Sequence, residues 1–222
     1  RFTWCNDFSA ARNASIQQAS GSWLLFVDAD ERLEPGSCER LAELIASDRS
    51  DAYLATIISG LGGNESVQHG AVRIVRNHPN LRFNGRIHEQ LNLVELAFQP
   101  VESDVAIRHL GYDLDPLQRR AKAARDVAML RESVEADPRD AFSWWSLSCV
   151  LDWAGRTDEA LVPAWNAWEQ ATEPSLRADC AATLVGLLVR SNNPTTALRV
   201  CDQAFAQRTA TVATGYWRAC AL

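Results

Sequence analysis

Two aspartates separated by one residue, in Asp28-Ala29-Asp30-Glu31, are the part of this chain best suited to chemistry. In an extended segment, residues two apart face the same side, so the two carboxylates could share one cation. Hard divalent ions such as Mg2+ and Mn2+ are commonly held by one or two carboxylates together with substrate phosphates, so a nucleotide diphosphate would complete the shell. An isolated Asp-x-Asp better suits a helix start, where Asp30 or Glu31 would cap the first turn and complement the dipole. A calcium loop is excluded, because it needs a third oxygen ligand two residues past Asp30, where Arg32 stands.

The neighbouring elements decide between cation site and cap. Trp23-Leu24-Leu25-Phe26-Val27 runs straight into Asp28. A continuous apolar run of this length predicts a strand covered on both sides in a parallel sheet, and open sheets bind ligands at the carboxyl ends of their strands. Asn6 and Asp7 are cap residues before a helix expected over Phe8 to Ser20, ended by Gly21. Pro35 to Ala46 reads as a second helix and Ala52 to Ile58 as a second strand, and this alternation indicates an α/β layer structure. Arg1 to Trp4 reads as a strand already under way. The chain opens without a signal-peptide core or a start methionine, and Thr214 to Leu222 stops inside a helical pattern with no cap, so both ends read as cut.

Phe8-Ser9-Ala10-Ala11-Arg12-Asn13 and Gly21 to Glu31 closely resemble family 2 glycosyltransferases of the GT-A fold. The likeness continues through Arg73-Ile74-Val75-Arg76-Asn77, Phe83-Asn84-Gly85-Arg86-Ile87-His88-Glu89 and Arg108-His109-Leu110-Gly111-Tyr112, and is similar to a bacterial subgroup that often carries tetratricopeptide repeats. It implies a partial α/β GT-A-like domain, with a mixed sheet and flanking helices, over residues 1–112. It implies that Asp28 and Asp30 hold Mn2+ or Mg2+ against the diphosphate of a nucleotide-sugar donor, with direct, inverting displacement at the anomeric carbon. The usual opening strand, helix and second strand, which carry much of the base pocket, would lie before Arg1.

Within this resemblance, Arg12 and Asn13 are donor-binding candidates, Arg12 by charge-assisted bonds and Asn13 by its amide, together with Asp28 and His88. Arg12 equally suits a structural partner to the nearby acids. Inverting transfer needs a base for the acceptor hydroxyl, and Glu89 is the candidate, with Asp104 and Asp113 in reserve. The segment around it reads as extended, which would send His88 and Glu89 to opposite faces unless the strand ends there. His88-Glu89 is no zinc-protease signature, since Asn92 stands where the second histidine belongs. The resemblance also brings His109 near the metal or diphosphate as an extra ligand; His69 and His78 receive no role. Asn13-Ala14-Ser15 and Asn64-Glu65-Ser66 match glycosylation acceptors only formally.

After Tyr112 the texture changes. Leu117 to Ala136 has helical periodicity, and Trp144, Leu147, Leu151, Gly155 and Ala160 fit tetratricopeptide spacing, repeated by Leu184, Leu188, Ala197 and Ala204, with Asn192 in the place of Gly155. Residues 113–222 are therefore expected to form an all-α tetratricopeptide-like domain. Trp144, Trp145, Trp153, Trp165 and Trp168 could line a peptide groove but are expected mainly in the seams between helices. Such helices suit a protein partner, so the alternative to a transferase is an interaction module carrying an inactive transferase remnant. The acceptor class, whether saccharide, lipid-linked or protein, is open.

The 222 residues are 47% apolar and 23% charged, which supports a folded core, and the net charge of -6 argues against a nucleic-acid partner. Six scattered cysteines lack zinc-ligand spacing and are expected to be reduced in the cytoplasm. No stretch approaches the ~18 to 20 apolar residues of a transmembrane segment. Attachment to the cytoplasmic face of a membrane is left open.

Overall fold

The computed structural model describes residues 2–60, 66–110 and 116–222. The expectations resting on Arg1, Asn64, Gly111, Tyr112, Asp113 and the boundary after residue 112 lie outside these described residues. The chain divides into two compact units, Arg1–Gly85 with Glu89–Asp115, and Arg86–His88 with Pro116–Leu222.

The first unit is built on a five-stranded mixed sheet. Its strands, in chain order, are β1 (Trp23–Leu25), β2 (Glu31–Leu33), β3 (Ala52–Gly60), β4 (Ser66–Arg76) and, after a short hairpin, β7 (Pro100–His109). They lie side by side as β1-β4-β3-β7-β2, with β3 and β7 parallel and the other pairs antiparallel. The hairpin pairs β5 (Phe83–Asn84) with β6 (Gln90–Leu91).

The apolar run ahead of Asp28 is covered on both faces over Trp23 to Phe26, whereas Val27, beyond the end of β1, is exposed. Trp23 and Leu25 pack with Tyr53, Ala55, Ile57, Ile74, Val105 and Ile107, and with Leu41 and Leu44 of helix α2 (Ser37–Ser47). Leu24 and Phe26 pack on the other face with Ala52, Val75, Leu81 and the Ile16 end of helix α1 (Phe8–Ile16). Strand direction is where expectation fails: β1 is antiparallel to β4. Two-sided burial follows from helices above and below a sheet, and antiparallel pairing inside such a layer leaves the same apolar signature.

Smaller departures have local causes. Helix α1 stops at Ile16 because, after Gln17, the amides of Gln18 and Ala19 bond three residues back and tighten the chain into a turn. Helix α2 begins at Ser37 because Gly36, at φ 78°, breaks the chain direction after Pro35. Residues 2–5 form no strand.

The second unit contains α3 (Pro116–Ala136), α4 (Ala141–Trp153), α5 (Thr157–Gln170), α6 (Pro174–Arg190), α7 (Pro194–Ala206) and α8 (Val212–Ala221). The repeat spacing reappears in three dimensions. Ala160 and Ala197, equivalent small residues of α5 and α7, are both fully buried. Gly155 (φ 76°) and Asn192 (φ 55°) take the left-handed conformation that ends α4 and α6, and the amides after them bond back to Leu151 and Leu188 at 2.9 and 2.8 Å. Of the tryptophans, Trp168 is buried, Trp144, Trp145 and Trp165 are half-buried, and Trp153 is exposed. Trp145 donates from α4 to Thr183 of α6 at 3.0 Å, which is a seam role.

Candidate active site

The candidate residues are held by three devices, beginning with one face of α1. Asp7 caps this helix by accepting the Ala10 amide at 2.8 Å. Ser9, Arg12 and Asn13 then fall at helical spacing on one side and all reach the β5–β6 hairpin. Ser9 Oγ donates to the Gly85 carbonyl, and the Asn13 amide bonds both the Phe83 carbonyl (3.0 Å) and the Phe83 amide (2.8 Å). Arg12 Nε donates to Glu89 Oε1, and its Nη2 donates to Asp28 Oδ1 at 2.8 Å. The two motifs of residues 8–13 and 83–89 are thus one piece of structure.

The segment bearing Glu89 is a turn rather than an extended strand. Gly85 has φ 92° and His88 φ 53°, so alternation does not govern where His88 and Glu89 point. Glu89 belongs to the first unit and has a side chain 11% exposed, whereas His88 groups with the second unit.

The second device is the turn after β1. The Glu31 amide donates to the Asp28 carbonyl at 3.0 Å, and Glu31 Oε2 accepts the Asp28 amide at 2.9 Å. Asp28 and Asp30 therefore flank a closed turn, not an extended pair, and the segment continues into β2, so a helix start is not what the acids serve. Pairing of β2 with β7 sets Glu31 opposite His109. Asp30 then lies beside His109, with Asp30 Oδ2 and His109 Nε2 3.1 Å apart and the Asp30 carbonyl accepting the Leu110 amide at 2.8 Å.

The third device is a bulge in β4, and it supplies a residue the sequence reading missed. Tyr53 pairs with Ile74 and Leu54 with Val72, so the ladder skips Arg73. Arg73 donates to Glu31 Oε1 at 2.6 Å and reaches Asp28 Oδ2 at 3.4 Å. Arg73 stood within a quoted motif, but the signal that singles it out is a register shift, which no local pattern carries.

Asp28, Glu31 and Glu89 are thus joined through the Arg12 and Arg73 guanidinium groups into one ion-pair network, while Asp30 pairs separately with the His109 imidazole. Burial works against the charge on Arg12, but hydrogen bonding to Glu89 and the charges of Asp28 and Glu89 outweigh it, so its pKa is raised. Arg12 also lies 5.3 Å from the centre of the Phe83 ring. Among the described residues no three His, Cys, Asp or Glu side chains converge on a metal position. Asp30 is half exposed and its Oδ2 lies 3.1 Å from His109 Nε2, so these are the two side chains that could contribute to a cation site whose other positions a phosphate fills.

The reserve base Asp104 is exposed on β7, and His69, which receives no role, is exposed on β4. His78 Nδ1 accepts the Asn80 amide at 3.1 Å.

Residues 1–97 match glycosyl transferase family 2. A TPR repeat-containing protein of Synechococcus elongatus is 35% identical over 162 residues, 67% of this chain and 38% of that protein. The prophage-derived glycosyltransferase SunS of Bacillus subtilis is 24% identical over 198 residues, 86% of this chain and 46% of that protein, and the glycosyltransferase SunS of Bacillus phage SPbeta matches equally. The chain thus spans less than half the length of these relatives. The sheet, its flanking helices and the family match agree: residues 1–97 belong to glycosyl transferase family 2, in a GT-A-like fold followed along the chain by tetratricopeptide-like helices.

Proposed function

We propose that this chain is part of a divalent-cation-dependent, inverting glycosyltransferase that moves a sugar from a nucleotide-diphosphate donor to a hydroxyl acceptor. The observation carrying this reading is that Arg12 holds both Asp28 and Glu89 within the family-matched residues, with Asp30 of the same turn paired to His109. We assign residues 1–112 to the transferase domain and residues 113–222 to the repeats.

Asp30, with His109 beside it and Asp28 across the turn, would hold Mn2+ or Mg2+. That ion would supply charge neutralisation to the departing nucleotide diphosphate. Arg12 is the protein's own contact for the same phosphates, because it is the guanidinium shared between two acids and can exchange one of them for a phosphate oxygen. Glu89 accepts the proton of the acceptor hydroxyl as the oxygen attacks the anomeric carbon, and Arg12 fixes its carboxylate for that role. Asn13 holds the hairpin that presents Glu89, and His88 lies next to it in sequence as a further donor contact.

The test is release of free nucleotide from a panel of UDP- and GDP-sugars in the presence of Mn2+, with any residues that precede Arg1 in the natural protein retained. Glu89→Gln should lower turnover by about a hundredfold or more, in line with loss of a general base, while donor affinity stays near wild type. Undiminished turnover would refute the assignment of Glu89.

A second reading rests on the helices. The Synechococcus relative is named for its TPR repeats, and stacked helix pairs present surfaces suited to proteins. In that case the transferase unit is a remnant, and it would bind no donor while the helices still capture a protein or peptide.

A further inference from the structure

Glu31 and Arg73 take no part in the transfer scheme above, yet their side chains are among the least exposed of the acid cluster, at 3% and 14%. They meet at 2.6 Å, and both spend their remaining capacity on Asp28. Glu31 Oε2 accepts the Asp28 amide at 2.9 Å, and Arg73 Nη1 approaches Asp28 Oδ2 at 3.4 Å. A buried ion pair is weak evidence of a stability role, because well-packed apolar residues of similar volume usually do as well. Its directional content is what apolar residues would lack: this pair fixes both the backbone and the carboxylate of the residue that opens the Asp28-Ala29-Asp30 turn.

The sheet is modified to bring the pair together. The β4 ladder skips Arg73, which aims its side chain into the cluster, and β2 pairing sets Glu31 opposite His109. Two guanidinium groups hold Asp28, and they differ in freedom. Arg73 is tied to buried Glu31, whereas Arg12 is shared with Glu89. If Arg12 turns to a diphosphate, Arg73 still keeps Asp28 paired and in place.

We propose that Glu31 and Arg73 are a positioning pair that sets the geometry of the Asp28–Asp30 turn for a cation and nucleotide diphosphate, an inference that rests on the reading of this site as a donor site. Outer partners of this kind typically affect metal affinity about ten- to hundredfold.

The experiment uses Arg73→Gln and the paired apolar replacement Glu31→Leu with Arg73→Met, each in the protein with its natural flanking residues. Calorimetric titration with Mn2+ plus UDP, and separately Mn2+ plus GDP, is combined with thermal unfolding and amide exchange at Asp28. The paired replacement should keep an unfolding midpoint near wild type, lose about tenfold or more in affinity and exchange the Asp28 amide faster. Wild-type affinity in that variant, or Asp28 exchange unchanged from wild type, would overturn the proposal. If the replacement unfolds, Arg73→Gln decides, with the same two readouts. If the wild-type protein takes up neither nucleotide, the donor-site reading falls and with it the proposed purpose of the pair. Asp28 exchange then reports only whether the pair holds the turn.

Discussion

Arg12 carries two acids at once, and that shared position gives the cluster its capacity to respond to an arriving anion. Its guanidinium binds Asp28 and Glu89 while lying over Phe83, with its charge more strongly favoured than in water. Residue-scale electrostatics also mark what is not reactive. Burial, with a smaller contribution from the charge of Asp179, pushes the Cys180 thiol up to about 12 from 9.0. The folded pKa lies above the unfolded one, so the native state keeps a proton that the unfolded chain releases. The stability this contributes is whole below pH 9.0 and declines as pH rises from there towards about 12. Iodoacetamide labelling at pH 9 should therefore modify exposed Cys38 while sparing Cys180 in the native protein, and equal rates at the two would contradict this. Asp28 and Asp30 were singled out by type and spacing, and Glu89 and His109 through the motifs that resemble the family. Arg73 was not, since its place depends on a β-bulge and a partner 42 residues away.

At the scale of elements, close packing of α6 against α8 makes two glycines respond in opposite ways to the same change. A Cβ on Gly186 would lie 2.9 Å from Trp217 Cε2 and Nε1, so Gly186→Ala must push the indole aside and should cost about 1 to 3 kcal/mol. Gly215, inside α8, has nothing within 4 Å of its would-be Cβ, and Gly215→Ala should stabilise by about 0.5 to 1 kcal/mol through helix propensity. Urea unfolding of both variants reads the two signs, and a destabilising Gly215→Ala would contradict the assignment. The helices were the most legible elements, because left-handed turns at Gly155 and Asn192 and small buried residues at Ala160 and Ala197 repeat at a fixed interval. The hairpin bearing Glu89 was least legible. Its two-residue strands are too short to show alternation, and α1 fixes them through Ser9, Arg12 and Asn13 rather than through a pattern of their own.

At the scale of the molecule, a mixed-sheet unit that joins acids through arginines is followed along the chain by helical repeats. Layer order was readable from the sequence, since helices on both faces impose two-sided apolar strands. Strand direction was not, because antiparallel pairs within such a layer bury the same residues. Among the described residues no helix is long and apolar enough to cross a membrane. The central claim is a cation-dependent donor site at the turn after β1, and it is tested most directly by calorimetric titration of nucleotide sugars with and without Mn2+, in the natural protein and in Asp30→Ala. Binding that requires Mn2+ and falls about tenfold or more in Asp30→Ala is the predicted result. Binding that is absent with Mn2+, or that is indifferent to Asp30→Ala, would contradict it.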